Sequence, residues 1–93
     1  MANQYGNLGL IYRRRGELDK AEEMHLKSLA IAEKLSLKEQ MAANYSNLGA
    51  VYKEREDNKK AREYWEKALT LYKIIGMKPE VEKTQRLIEG IDE

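Results

Sequence analysis

Tyr5, Leu8, Gly9 and Tyr12 stand at i, i+3, i+4 and i+7, the spacing of one face of a helix and not the alternation of a strand. A second apolar set follows at the same spacing: Ala21, Met24, His25, Ser28, Leu29 and Ala32. Forty residues downstream both sets return, the first as Tyr45, Leu48, Gly49 and Tyr52, the second as Ala61, Tyr64, Trp65, Ala68, Leu69 and Tyr72. The chain therefore reads as two units, each a pair of helices. With Met1, Ala2, Asn7, Arg15, Lys20, Glu23, Lys27 and Lys38 and their partners included, fourteen of forty positions are identical between the units. A period in this range marks a stacked repeat architecture, in which no unit buries its apolar face alone.

The residues between the periodic segments predict helices over 2–15, 19–35, 37–55, 58–75 and 79–91. Gly16 is placed to end the first helix in the left-handed conformation, and Asp19 to cap the second, with Leu18 before it as a staple. Glu22 completes a capping-box spacing with Asp19, and Ser36 with Glu39 repeats that spacing before the third helix. Unit two carries Glu56, Asn58 and Lys59 at these positions, which moves the expected helix start to Asp57 or Asn58. Gly76 reads as a stop and Pro79 as a first-turn proline opening a last helix, which carries Val81, Leu87, Ile88 and Ile91. Gly9 and Gly49 lie inside helices, where glycine costs about 0.5 to 1 kcal/mol against alanine. Close approach of a second backbone is the expected reason, with Ala21, Ala61 and Ala68 as the small partners and Tyr12 and Tyr52 filling the space between helices.

At this point the residues resemble the tetratricopeptide repeats, whose signature sets an aromatic, leucine, glycine and tyrosine on helix A, and alanine, an aromatic and alanine on helix B. Unit two matches through Tyr45, Leu48, Gly49, Tyr52, Ala61, Trp65 and Ala68. Unit one matches through Tyr5, Leu8, Gly9, Tyr12 and Ala21, then departs with His25 at the aromatic position and Ser28 at the second alanine. The forty-residue period and the Asn-Leu-Gly triplet are similar to the longer variant in kinesin light chain and related adaptor proteins. The proline that often closes the shorter repeat is replaced by Glu33 and Lys73. The resemblance implies an all-α, right-handed α-solenoid of two helix-turn-helix units (1–40 and 41–78) and a capping helix (79–93), five helices in one domain.

Composition narrows the function. Seventeen basic and sixteen acidic residues nearly cancel, so no global field draws the chain to nucleic acid or anionic lipid. No apolar run approaches the roughly 18 to 20 residues that cross a bilayer, and the absence of cysteine leaves a weakly cytoplasmic expectation. His25 is the single histidine, without a second ligand at metal spacing, and is expected to pack between helices. Glu22 with Glu23, and Glu56 with Asp57, read as solvated charge and not as a catalytic pair. Gly6 and Gly9 do not follow a strand, so no phosphate loop is present. No enzyme activity, metal or cofactor is expected.

The run Arg13, Arg14, Arg15 falls at the end of the first helix, where the helix dipole favours cations. Nucleic-acid binding would need exposed aromatics interleaved with the charge, whereas the tyrosines are committed to helix contacts. Partner-protein binding is the reading that remains. By resemblance, the A helices line a groove through Asn3, Gly6, Asn7, Leu10, Arg13 and Arg14, through Ala43, Ser46, Asn47, Ala50, Lys53 and Glu54, and through Lys83, Arg86, Leu87 and Gly90. Asn7 and Asn47 are the leading candidates, because an amide offers both donor and acceptor to any peptide backbone. The family's clamp for a terminal carboxylate uses lysine and asparagine where this chain has Gly6, Leu10, Ser46 and Ala50, so an internal acidic or amphipathic segment is the expected ligand. Arg86 alone matches a basic clamp position.

The ends of the array are unequal. Ile11 corresponds to Val51, which is expected to pack on a preceding repeat, and Glu82 and Glu89 replace the alanine and glycine of the repeat, as suits a cap. The expectation is the C-terminal part of a longer array with an open N-terminal face. Self-association into a homo-oligomer through the face carrying Ile11 is the alternative function.

Overall fold

The computed structural model describes residues 2–91, with side chains described over 4–91. Five helices follow one another: α1 (Ala2–Arg14), α2 (Leu18–Lys34), α3 (Lys38–Glu54), α4 (Asn58–Ile75) and α5 (Lys78–Glu89). Each observed bound lies within two residues of its expected one. No strand occurs among the described residues. α1 packs with α2 and α3 with α4 as hairpins, α2 meets α3 between the hairpins, and α5 packs on α4.

One corner design joins all five helices. Gly16, Ser36, Glu56 and Gly76, spaced twenty residues apart, each have positive φ, at 79°, 55°, 64° and 76°. At each corner the following amide reaches back to the last turn: Glu17 to the Tyr12 carbonyl (2.9 Å), Leu37 to Ala32 (2.8 Å), Asp57 to Tyr52 (2.9 Å) and Met77 to Tyr72 (3.0 Å). The left-handed residue itself bonds the carbonyl three back, completing a Schellman closure that satisfies the free carbonyls with backbone alone.

This design corrects the expected capping boxes. The N-caps of α2 and α3 are Glu17 and Leu37, and neither makes a side-chain cap. Asp19 lies inside the first turn of α2, and Ser36 is spent on the left-handed position, so neither sits where a cap must. Leu18 is the first helical residue, not a staple outside the helix. Asp57 does cap α4, its carboxylate accepting from the Lys60 amide at 3.2 Å, and Pro79 enters the first turn of α5 as expected.

The hairpins are alike in detail. An ammonium stands over a tyrosine at matching places in both: Lys27 over Tyr5 (5.8 Å) and Lys67 over Tyr45 (5.5 Å), Lys20 over Tyr12 (5.6 Å) and Lys60 over Tyr52 (5.2 Å). Ala21 and Ala61 are fully buried in equivalent positions, as is Ala68. Gly9 and Gly49 have a different purpose from the one expected. A Cβ on Gly9 would fall 2.6 Å from the His25 ring, and one on Gly49 would fall 2.4 Å from the Trp65 indole. The glycines make a slot for a ring of the partner helix, not for its backbone. His25 thereby fills the aromatic position of unit one, fully buried.

Two apolar clusters hold the second hairpin and α5 together. Tyr52, Ala61, Trp65 and Ile91 form one, with Tyr64, Leu87 and Ile88 against it; Ala42, Ala68 and Tyr72 form the other, with Tyr45, Val81 and Met77. Tyr64 stacks on Tyr52 with centroids 5.5 Å apart and on Tyr45 at 6.2 Å. Leu8 corrects the signature reading. Its counterpart Leu48 is fully buried, but Leu8 itself is 41% exposed and fills no core position.

Candidate peptide-binding groove

Between the hairpins, polar contacts set the register of α2 and α3. The Asn44 amide donates to Ser28 Oγ at 2.9 Å, a buried pair that accounts for serine replacing the signature alanine. On the opposite side, Arg55 donates from Nη1 to Glu22 (2.9 Å) and from Nη2 to Asp19 (2.5 Å), and the Tyr52 hydroxyl donates to the second Glu22 oxygen. Burial pushes the Glu22 carboxyl up, but the Tyr52 and Arg55 hydrogen bonds and the nearby cations outweigh it and hold it below its usual range. Donating that hydrogen bond to Glu22, with burial adding to the effect, raises Tyr52 to about 12. Asp19 and Glu22, read from the sequence as a cap, are the acidic half of the join to the next repeat.

With that register set, α1, α3 and α5 share a run of three recesses. The first, about 150 Å³, lies between α1 and α3, where Gly6, Asn7 and Leu10 face Ala43, Asn44 and Asn47, with Ser28 beneath. The second, about 340 Å³, takes Arg13 from α1, Ala50, Lys53 and Glu54 from α3, and Arg86 and Leu87 from α5, with Gly90 and the Trp65 ring alongside. The third, about 180 Å³, takes Ala43, Ser46 and Asn47 of α3 with Glu80, Lys83 and Thr84 of α5. Asn47 belongs to two of them. A larger notch of about 470 Å³ lies at the first corner, lined by Gly16, Glu17, Leu18, Asp19, Lys20 and Arg55. Its main charges, Asp19 and Arg55, are already bonded to each other, which leaves it little with which to hold a ligand.

The expected groove residues are thus distributed unevenly. Asn7, Leu10, Arg13, Ser46, Asn47, Ala50, Lys53 and Arg86 all line these recesses. Arg14 is exposed and lines none of them, and the Asn3 side chain falls outside the described residues. Arg13 is not a free cation: its Nη1 lies 3.1 Å from Glu54 Oε1, a bridge from α1 to α3 across the groove floor. Lys53 makes a long 3.4 Å bond to Asn58 Oδ1. Sequence reading missed Asn44, Trp65 and Thr84 as lining residues. The departure at Ser28 was the one available sign that a polar partner would stand opposite.

The remaining titratable candidate is His25. Neither ring nitrogen has a hydrogen-bond partner among the described residues. Burial, with the Arg13 charge adding to it, lowers its pKa to about 4, so the ring is neutral at pH 7. Among the described residues, no group of three or more histidine, cysteine or acidic side chains stands close enough to hold a metal. No helix of the described residues is long and apolar enough to cross a membrane.

Two helical hairpins stacked in register, followed by a fifth helix, define an all-α repeat solenoid. The chain belongs to the tetratricopeptide repeat family, whose model matches residues 1–74. Repeats of this family mediate protein–protein interaction and are non-catalytic. No curated protein matches the chain.

Proposed function

We propose that the chain is an interaction module that holds an extended internal segment of a partner protein along the recesses of α1, α3 and α5. The observation that carries this reading is the placement of Asn47 at two adjoining recesses, with Asn7 sharing the first. Their amides would bond the backbone of the segment irrespective of its side chains. Leu10, Ala50 and Leu87 provide apolar contact. Arg13, Lys53, Lys83 and Arg86 outnumber Glu54 and Glu80 around the recesses, which favours a segment with acidic side chains.

The test is selection from a displayed library of random twelve-residue peptides, followed by titration of the selected peptides against the native chain and an Asn47→Ala, Lys53→Ala variant. Acidic or amphipathic peptides should emerge and lose about tenfold or more in affinity for the variant, with helicity unchanged by circular dichroism. Selected peptides that bind both proteins equally would remove the groove from the reading.

A further inference from the structure

The three A-type segments carry an apolar pair at one register: Leu8 and Ile11, Leu48 and Val51, Ile88 and Ile91. Leu48 and Val51 are fully buried, and Ile91 is buried with Ile88 packed in the Tyr52 and Trp65 cluster. Only the α1 pair is open, with Ile11 42% exposed beside the exposed Leu8. Next to the buried pair on α3 stand Tyr52 and Arg55, which hold Glu22 and Asp19. α1 and the turn that follows it repeat both polar residues as Tyr12 and Arg15, with Lys20 over Tyr12 as Lys60 is over Tyr52. Arg15 is exposed and has no acidic partner among the described residues.

From this repetition we propose that Leu8, Ile11, Tyr12 and Arg15 form a second docking face, distinct from the groove. It takes a partner helix that opens with two carboxylates at i and i+3 ahead of an apolar stripe. The template is the chain's own α2, whose Asp19 and Glu22 have that spacing and whose packing on α3 shows the geometry. Arg15 would bridge both carboxylates and Tyr12 would donate to the second, while Leu8 and Ile11 lose their exposure to the stripe. Charge argues against a second copy as the occupant. At the α4 positions that correspond to Asp19 and Glu22, the chain has Lys59 and Arg62, which would meet Arg15 with like charge. The acidic pair of α2 is already held by Arg55 and Tyr52.

The experiment titrates the intact chain into a fluorescently labelled peptide of residues 17–35 and reads anisotropy. Binding is expected, weakened by about tenfold or more by Arg15→Glu in the chain. A peptide carrying Asp19→Lys and Glu22→Arg should prefer the Arg15→Glu chain over the native one. Arg15 is exposed, so the variant should keep its helicity, which circular dichroism checks. No binding with the chain raised to about millimolar, or binding indifferent to Arg15→Glu, would overturn the proposal. Sensitivity to Arg55→Glu alone would also overturn it, because the peptide would then be displacing α2 from α3. Concentration-dependent doubling of mass by light scattering, abolished by Ile11→Glu, would identify a second copy as the occupant and overturn it equally.

Discussion

Trp65 occupies the space that a side chain on Gly49 would need, with Cδ1 and Nε1 both 2.4 Å from where a Cβ would stand. The indole N–H is also tied at 3.0 Å to the Ser46 carbonyl of α3, the helix that carries Gly49, so the ring cannot swing aside without losing a bond. Gly49→Ala should therefore destabilise the fold by about 1 to 3 kcal/mol despite alanine's better helix propensity. Urea unfolding followed by Trp65 fluorescence measures it. A gain in stability, as expected for an open helical glycine, would contradict the slot.

His25 provides a pH dependence of defined sign. Its folded pKa of about 4 lies below the ordinary 6.5, so on acidification the unfolded chain takes up the proton first. The stability associated with the neutral ring is complete above about pH 6.5 and drains away as the pH falls toward 4, by about 3 kcal/mol in all. His25→Phe keeps a ring on Gly9 and removes the titration. Thermal unfolding of both proteins between pH 7.5 and 4.5 should show a steeper loss for the native chain, and parallel curves would refute the assignment.

Breaking the inter-repeat clasp should have a cooperative cost. Glu22→Gln and Tyr52→Phe remove opposite ends of one hydrogen bond, so the double variant should be less damaged than the sum of the single ones, by about 0.5 to 2 kcal/mol. Strict additivity in denaturant titrations would mean that the contact contributes nothing. The same bond holds the Tyr52 proton to about pH 12, so Tyr52→Phe should remove one late-ionising group from an ultraviolet titration of the folded chain.

Ser36 and Glu56 hold positive φ with a Cβ in place, where Gly16 and Gly76 have none. Left-handed backbone costs a non-glycine residue on the order of 1 kcal/mol. Ser36→Gly and Glu56→Gly should each raise stability by a few tenths to about 1 kcal/mol, allowing for the entropy that glycine adds to the unfolded chain. Thermal unfolding that shows no change or a decrease in both would mean that these corners are relaxed as they stand.

Much of the molecule was legible because a forty-residue period reports which positions share a role. The helices, the Gly16 and Gly76 stops, the Asp57 start and the ring position of His25 all follow from register and local chemistry. Asp19 with Glu22 misled because two acids three apart look the same whether they serve their own helix start or a neighbouring arginine. The Arg13–Glu54 bridge joins residues forty-one positions apart in the chain, and no local pattern announces it. Leu8 fits the signature perfectly, yet its burial depends on what lies against α1, which the signature does not encode. The expected groove positions came from the family resemblance, but the depth of each recess depends on neighbours such as Asn44 and Trp65 that lie outside that set.

Corners closed by main-chain bonds alone tolerate drift in their side chains, as the substitution of serine and glutamate for glycine at two of the four already illustrates. Nearby side chains are thereby released from local duty and become a vocabulary for matching one hairpin to the next. A mutation at Asp19 would leave its own helix start intact and change instead which neighbour that hairpin accepts. In this chain, the match of the first hairpin to the second is written in the first two turns of α2.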